Sequence, residues 1–275
     1  MEIDGLTADG PVRGGPVLGA PVLDRLVADA WRLTERGGPS RTVLGLAGPP
    51  GAGKSTLATA LVAGVERRYG PGTAAYVPLD GFHLSNAQLE RLGLTSRKGS
   101  APSFDVWGYA ALLRRIVQPR EGAGGGASGE SDGSGGSDGS GRSGGSDGSD
   151  GSDGSDGDIY VPDYDRTLHE PVAARHRVPP SARLLVTEGN YLALDEPGWA
   201  DARRLMAEVW YVEASDEVLQ QRLMQRQLAG GRSADEARSW VDGNDLPNGE
   251  LVKGSRAGCA RILGSIGLDM TKGQV

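Results

Sequence analysis

The stretch Gly48-Pro49-Pro50-Gly51-Ala52-Gly53-Lys54-Ser55 constrains this chain more than any other. It keeps the pattern G-x-x-x-x-G-K-[ST] in full, and that pattern has meaning only where a strand runs out into a glycine-rich loop and a helix begins. The flanks meet the requirement: Thr42 to Ala47 reads as a buried strand and Lys54 to Arg67 as a helix. Glycines let backbone N–H groups converge on phosphate oxygens, and the helix N-terminus adds partial positive charge. In such a loop Lys54 is expected to reach the β- and γ-phosphates, Ser55 to ligate magnesium, and Thr56 to lie beside the nucleotide. ATP and Mg2+ are the expected cofactors.

The rest of the chain alternates short apolar runs with helical patterns, the signature of a parallel sheet covered by helices. Val22 to Glu35 reads as a helix, with Val22, Leu23, Leu26, Val27, Ala30 and Leu33 at helical spacing before Gly37 and Gly38. A strand follows over Ala74 to Leu79, and Asp105 caps a helix carrying Val106, Tyr109, Leu112, Leu113 and Ile116. Further strands are expected at Arg183 to Thr187, Glu208 to Glu213 and near Ala260 to Ile266, with a long helix from Ser215 through Leu219, Leu223 and Gln227. The fold class is therefore α/β: one doubly wound parallel sheet with ligands at the carboxyl ends of the strands. The domain is expected over residues 21–275, after a flexible N-terminus over 1–20.

Residues 121–158 interrupt it. They are nearly all Gly, Ser and Asp, hold nine acidic residues against Arg142, and carry no apolar surface to bury. A coil of that length spans about 34 Å, and lengthening a short turn to it costs only about 1.6 kcal/mol of closure entropy. The nonapeptide repeat that binds calcium is not kept. With this acidic segment set aside, the net charge of −7 becomes near neutral, so no broad basic surface for nucleic acid is expected. No apolar run is long enough to span a bilayer and no basic-then-apolar leader precedes the domain, so a cytoplasmic location without membrane contact is expected. Cys259 is the only cysteine, which excludes an internal disulfide and suggests a small buried apolar residue. Trp107 and Trp240 read as packing residues.

Two acids stand at predicted strand ends. Asp80 follows Ala75-Tyr76-Val77-Pro78-Leu79, and Glu188 follows Leu184-Leu185-Val186-Thr187, so both face the edge where the phosphate loop opens. An acid there can hold a metal through its waters or accept the proton of an attacking hydroxyl. The blocks Asp80-Gly81-Phe82-His83, Arg97-Lys98-Gly99-Ser100-Ala101-Pro102-Ser103-Phe104-Asp105, Pro162-Asp163-Tyr164-Asp165 and Thr187-Glu188-Gly189-Asn190-Tyr191 resemble the phosphoribulokinase, uridine kinase and type I pantothenate kinase family. The resemblance runs from about Arg41 to Ile266. It implies that Asp80 is the general base toward an acceptor hydroxyl and that Glu188 supports magnesium. It also implies the P-loop NTPase kinase type of fold with a helical lid, the helix from Ser215, whose Arg222, Arg226 and Arg232 close over the triphosphate. His83, Arg97, Lys98, Tyr164, Asp165, Arg166 and His169 fall in segments that line the acceptor pocket of the resembling enzymes. The implied partner is a small-molecule hydroxyl substrate such as pantothenate, a nucleoside or a sugar, and a homodimer is compatible with the resemblance.

Two other classes are weighed. A P-loop GTPase or ATPase chaperone for metal or cofactor insertion would also carry this loop, but a guanine-specific Asn-Lys-x-Asp segment is missing. The Asp195-Glu196-Pro197-Gly198 match to Asp-x-x-Gly stands away from a predicted strand end. A regulatory nucleotide-binding module would not need Asp80 and Glu188. Replacing 122–157 by a short Gly-Ser linker is expected to leave melting temperature and turnover nearly unchanged, because the segment buries nothing; a large loss of either would assign it a folded role.

Overall fold

The computed structural model describes residues 19–36, 41–118 and 157–264. The low-complexity insert lies outside them apart from Gly157 and Asp158, as does the N-terminus before Gly19. Ala20 already opens the first helix, and the Asp158 carboxylate accepts a 2.5 Å hydrogen bond from Arg177 Nε within the fold.

In chain order the helices are α1 (Ala20–Arg36), α2 (Lys54–Tyr69), α3 (Asn86–Arg91), α4 (Val106–Val117), α5 (Trp199–Arg203), α6 (Asp216–Ala229), α7 (Ala234–Trp240) and α8 (Leu246–Gly254). The strands are β1 (Thr42–Ala47), β2 (Ala74–Pro78), β3 (Ile159–Asp165), β4 (Glu170–Val178), β5 (Leu184–Glu188), β6 (Glu208–Val212) and β7 (Arg261–Leu263). Five of them form a parallel sheet in the order β2-β5-β1-β6-β7, while β3 and β4 pair as an antiparallel hairpin.

Alternation along the buried strands divides the core. Leu44, Leu46, Leu184 and Val186 face α1 and α2, with Leu26, Val27, Leu57 and Leu61 packed on them. Val43, Val77, Leu185 and Tyr211 face the other way, toward Tyr109, Leu113 and Ile116 of α4 and Trp199 of α5. The sheet is thus covered on both faces, as near-continuous apolar strands require. Asp105 caps α4 by accepting the Gly108 N–H at 2.8 Å, and Ser215 caps α6.

Several expectations shift. Leu79 leaves β2 and enters a 3-10 turn, Leu79–Phe82, which carries Asp80; Glu188 is the last residue of β5 rather than one beyond it. The last strand shortens to Arg261–Leu263, and residues past 264 lie outside the description. Cys259 is half-buried rather than buried, with its thiol pushed up to about 11 by partial burial. Trp107 is 55% exposed, so it is not a core packing residue. The hairpin and the α7–α8 region, including a π-helical turn at Val241–Asp245, have no counterpart in the sequence expectations.

The hairpin backbone lies close against the Asp80 turn at Gly81. A Cβ at Gly81 would sit 2.3 Å from the Pro162 carbonyl oxygen and 2.7 Å from the Asp163 nitrogen, backbone atoms that cannot rotate away. Gly81→Ala is therefore expected to push the hairpin off and cost about 1–3 kcal/mol, or about 2–4 °C of melting temperature per kcal/mol in a domain of this size. An unchanged melting temperature would show that the two backbones are not held together.

Candidate active site

The phosphate loop leaves β1 at Gly48, where a Cβ would meet the Val212 carbonyl oxygen at 2.3 Å, so only glycine lets the loop pack on β6. Pro49, Pro50, Gly51 and Ala52 complete the arch, closed by the Ala52 N–H donating to the Pro49 carbonyl at 3.2 Å. Gly53, at φ 98°, caps α2 without a side chain, which leaves the first helical N–H groups to an anion. Ser55 and Thr56 are exposed on that first turn.

Lys54 is 6% exposed, and its ammonium donates to the Pro49 carbonyl at 3.0 Å and to Asn190 Oδ1 at 2.6 Å. Burial lowers its pKa to about 8, against the pull of Glu188 and Asp80. Glu188 is 4% exposed; its Oε1 accepts from Ser55 Oγ at 3.0 Å and from Tyr76 Oη at 2.9 Å. Burial first, and then the Asp80 charge, push the Glu188 carboxyl above its usual range. Below it Thr187 Oγ1 donates to the Val77 carbonyl at 2.6 Å, so the buried Tyr109 hydroxyl, 2.6 Å away, is the donor in their contact.

Asp80 stands at the open side of this cluster. Burial opposes its charge, but the positive charges of Arg166, Arg226 and Lys54 around it hold its carboxyl below the ordinary range. Arg166 Nη2 lies 3.4 Å from Asp80 Oδ2. His83 Nδ1 lies 2.8 Å from the Asp80 carbonyl, which can only accept, so the proton is on Nδ1 and Nε2 is left as an acceptor. Burial lowers the His83 pKa and favours this neutral ring. The ring is held between Phe104, 4.0 Å away, and Tyr164, 4.8 Å away.

Lys98 lies 5.2 Å over Tyr164 and donates to Asn86 Oδ1 at 2.5 Å and to the His169 carbonyl at 2.7 Å, tying the hairpin to α3. Asp165 accepts the Thr167 and Leu168 N–H groups, both at 2.9 Å, so its carboxylate shapes the hairpin turn. His169 sits at φ 54° and contributes its carbonyl. Arg97 is exposed on the adjoining 3-10 turn, close enough for its charge to act on Tyr191.

Above the loop, Arg222 Nη1 donates to the Gly51 carbonyl at 3.0 Å. Arg226, one turn later on the same face, makes no side-chain hydrogen bond among the described residues, while its charge acts on Asp80, His83, Tyr164 and Lys54. Arg232 turns to Gln227 and lies 4.2 Å over Trp240, so Trp240 is a shelf for an arginine.

Asn190 and Tyr76 are the residues that sequence reasoning did not assign. Asn190 stood within the quoted Glu188-Gly189-Asn190 block, but Tyr76 carried no signal beyond its place in β2. No set of three or more His, Cys, Asp or Glu among the described residues forms a metal cage. A hydroxyl, Ser55, beside a carboxylate, Glu188, is instead the hard-oxygen donor set that suits magnesium completed by phosphate oxygens and water.

Burying the Lys54 ammonium has a measurable stability cost. Its folded-state pKa lies below that of the unfolded chain, so the penalty is full below about pH 8 and fades as pH rises to 10.5. Lys54→Met is expected to stabilise the ligand-free protein at pH 7 by up to about 3 kcal/mol, with the gain shrinking by pH 10. Urea midpoints at both pH values test this; a variant less stable at pH 7 would contradict it.

A candidate uridine kinase of Schizosaccharomyces pombe is 29% identical over 219 residues, 78% of this chain and 78% of that protein. The ATP-dependent kinase YFH7 of Zygosaccharomyces rouxii is 26% identical over 191 residues, covering 66% of this chain and 48% of that protein. The crystal structure of a candidate fructose transport system kinase from Silicibacter sp. TM1040 matches with a TM-score of 0.68 at 29% identity, over 88% of this chain and 98% of that one. No family model matches the chain. The chain has the P-loop kinase fold, and the relatives named above carry kinase names.

Proposed function

We propose that the protein is an ATP- and magnesium-dependent kinase that transfers the γ-phosphoryl group to a hydroxyl of a small metabolite. The observation that carries this reading is the second carboxylate. Beyond Lys54 and Glu188, which a nucleotide hydrolase would also use, Asp80 is held ionised beside an acceptor-side wall of His83, Tyr164 and Arg166. The names of relatives support ATP as donor, and uridine and fructose, in the names of two of them, both carry hydroxyl groups.

In this reading the acceptor hydroxyl donates its proton to Asp80 as its oxygen forms the new P–O bond. The bond from the γ-phosphorus to its bridging oxygen breaks, and ADP leaves with that oxygen. Lys54 neutralises charge on the β- and γ-phosphates, and Arg222 and Arg226 do so from the lid side, while Arg232 is held on Gln227 and Trp240. Magnesium, held by Ser55 and Glu188, would supply Lewis-acid neutralisation of the phosphate oxygens. His83 Nε2 offers a second acceptor next to Asp80 for a neighbouring hydroxyl or N–H of the substrate.

The test is acceptor-dependent ADP release against a panel of nucleosides, sugars, sugar phosphates and hydroxy acids. Lys54→Ala should abolish turnover while the protein stays folded. Asp80→Asn should bind nucleotide almost normally and lose about 10²–10⁴ in rate, whereas Glu188→Gln should raise the magnesium requirement. Full acceptor-dependent turnover in Asp80→Asn would remove the general base. A wild type that no acceptor stimulates above its basal hydrolysis would favour a chaperone or binding module instead.

A further inference from the structure

The two oxygens of Glu188 are unequal. Oε1 accepts both hydrogen bonds, from Ser55 at 3.0 Å and from Tyr76 at 2.9 Å, while Oε2 accepts none from the described residues. Ser55 belongs to the phosphate-binding turn itself, so Tyr76 is the donor that takes no part in holding nucleotide. It sits on β2 opposite Val186, two residues before the Pro78–Glu188 pair, and its hydroxyl reaches up the sheet to the carboxylate.

Its ring is fixed as well. The edge meets His176 of β4 at 5.1 Å and 79°, and His176 Nε2 lies 2.8 Å from Asp163 Oδ2 of β3. Asp163 is the residue whose backbone rests against Gly81 in the Asp80 turn. A path of contacts therefore runs from the hairpin through the His176–Asp163 hydrogen bond, the His176–Tyr76 ring contact and the Tyr76–Glu188 hydrogen bond.

We propose that Tyr76 is a positioning residue that fixes the Glu188 carboxylate so that Oε2 is the oxygen presented to the magnesium–nucleotide complex, with the His176–Asp163 pair bracing the Tyr76 ring. This rests on the assignment of Glu188 to magnesium in the preceding section. A phenol that only fills space would be replaced by phenylalanine without effect, because the ring and its contact with His176 remain.

The experiment is calorimetric titration of ADP into the full chain with and without magnesium. In the wild type magnesium is expected to tighten ADP binding. In Tyr76→Phe metal-free ADP binding should match the wild type while the tightening falls about tenfold, the usual size for loss of a side chain that orients a metal ligand. Tyr76→Phe combined with Glu188→Gln should be no worse than Glu188→Gln alone, since both remove one interaction. His176→Ala should reduce the tightening in the same direction by a smaller factor. Wild-type tightening in Tyr76→Phe, or a loss that adds to that of Glu188→Gln, overturns the role of Tyr76. A wild type that binds ADP without responding to magnesium overturns the Glu188 assignment, and this inference with it.

Discussion

The structure turns on one buried ammonium. Lys54 is buried at the carboxyl edge of a parallel sheet within the field of two carboxylates, Glu188 and Asp80, and its burial costs more than their charges return. Burial drives the Lys54 pKa down and the Glu188 pKa up, while the arginines around Asp80 keep that group ionised. The surrounding fold supplies the means. Parallel register sets Glu188 against Pro78 and Leu46, a 3-10 turn swings Asp80 out beyond β2, and the phosphate loop holds the Lys54 ammonium on the Pro49 carbonyl and Asn190.

The parts of this arrangement that depend on local chain geometry were legible in the sequence. Gly48, Gly53, Lys54 and Ser55 specify their loop by backbone freedom and spacing, and Asp105 and Ser215 announce their helices as caps. Four of the five strands of the central sheet were readable as apolar runs to within a residue, and the last as a run that extended past Leu263. Glu188 was readable as a strand-end acid, though its place inside β5 was not.

The rest was hidden because it depends on distant partners. Tyr76 matters only because β2 lies beside β5 and β4 packs across it, neither of which the residues near Tyr76 reveal. The hairpin escaped because Pro162 and Pro171 interrupt its strands and a register shift lies between Val161 and Asp163. Asp165 and His169 were expected at the acceptor through resemblance, yet one carboxylate closes the hairpin turn and one backbone carbonyl receives Lys98. The π-helical turn, from which Asn244 donates to the Lys98 carbonyl at 3.0 Å, has no sequence signature of its own.

The hairpin has a consequence for how such a protein can diversify. It is inserted between α4 and β5 and contributes no strand to the central sheet, so its residues answer to different constraints from those of the phosphate loop. Tyr164 and Arg166 can be exchanged without touching Gly48, Lys54 or Ser55, whereas Gly81 and His176 anchor the hairpin and must stay. Under the proposed kinase reading, the acceptor side can therefore be rewritten while the phosphate loop is passed on intact, and the boundary between the two runs along the Gly81–Pro162 contact.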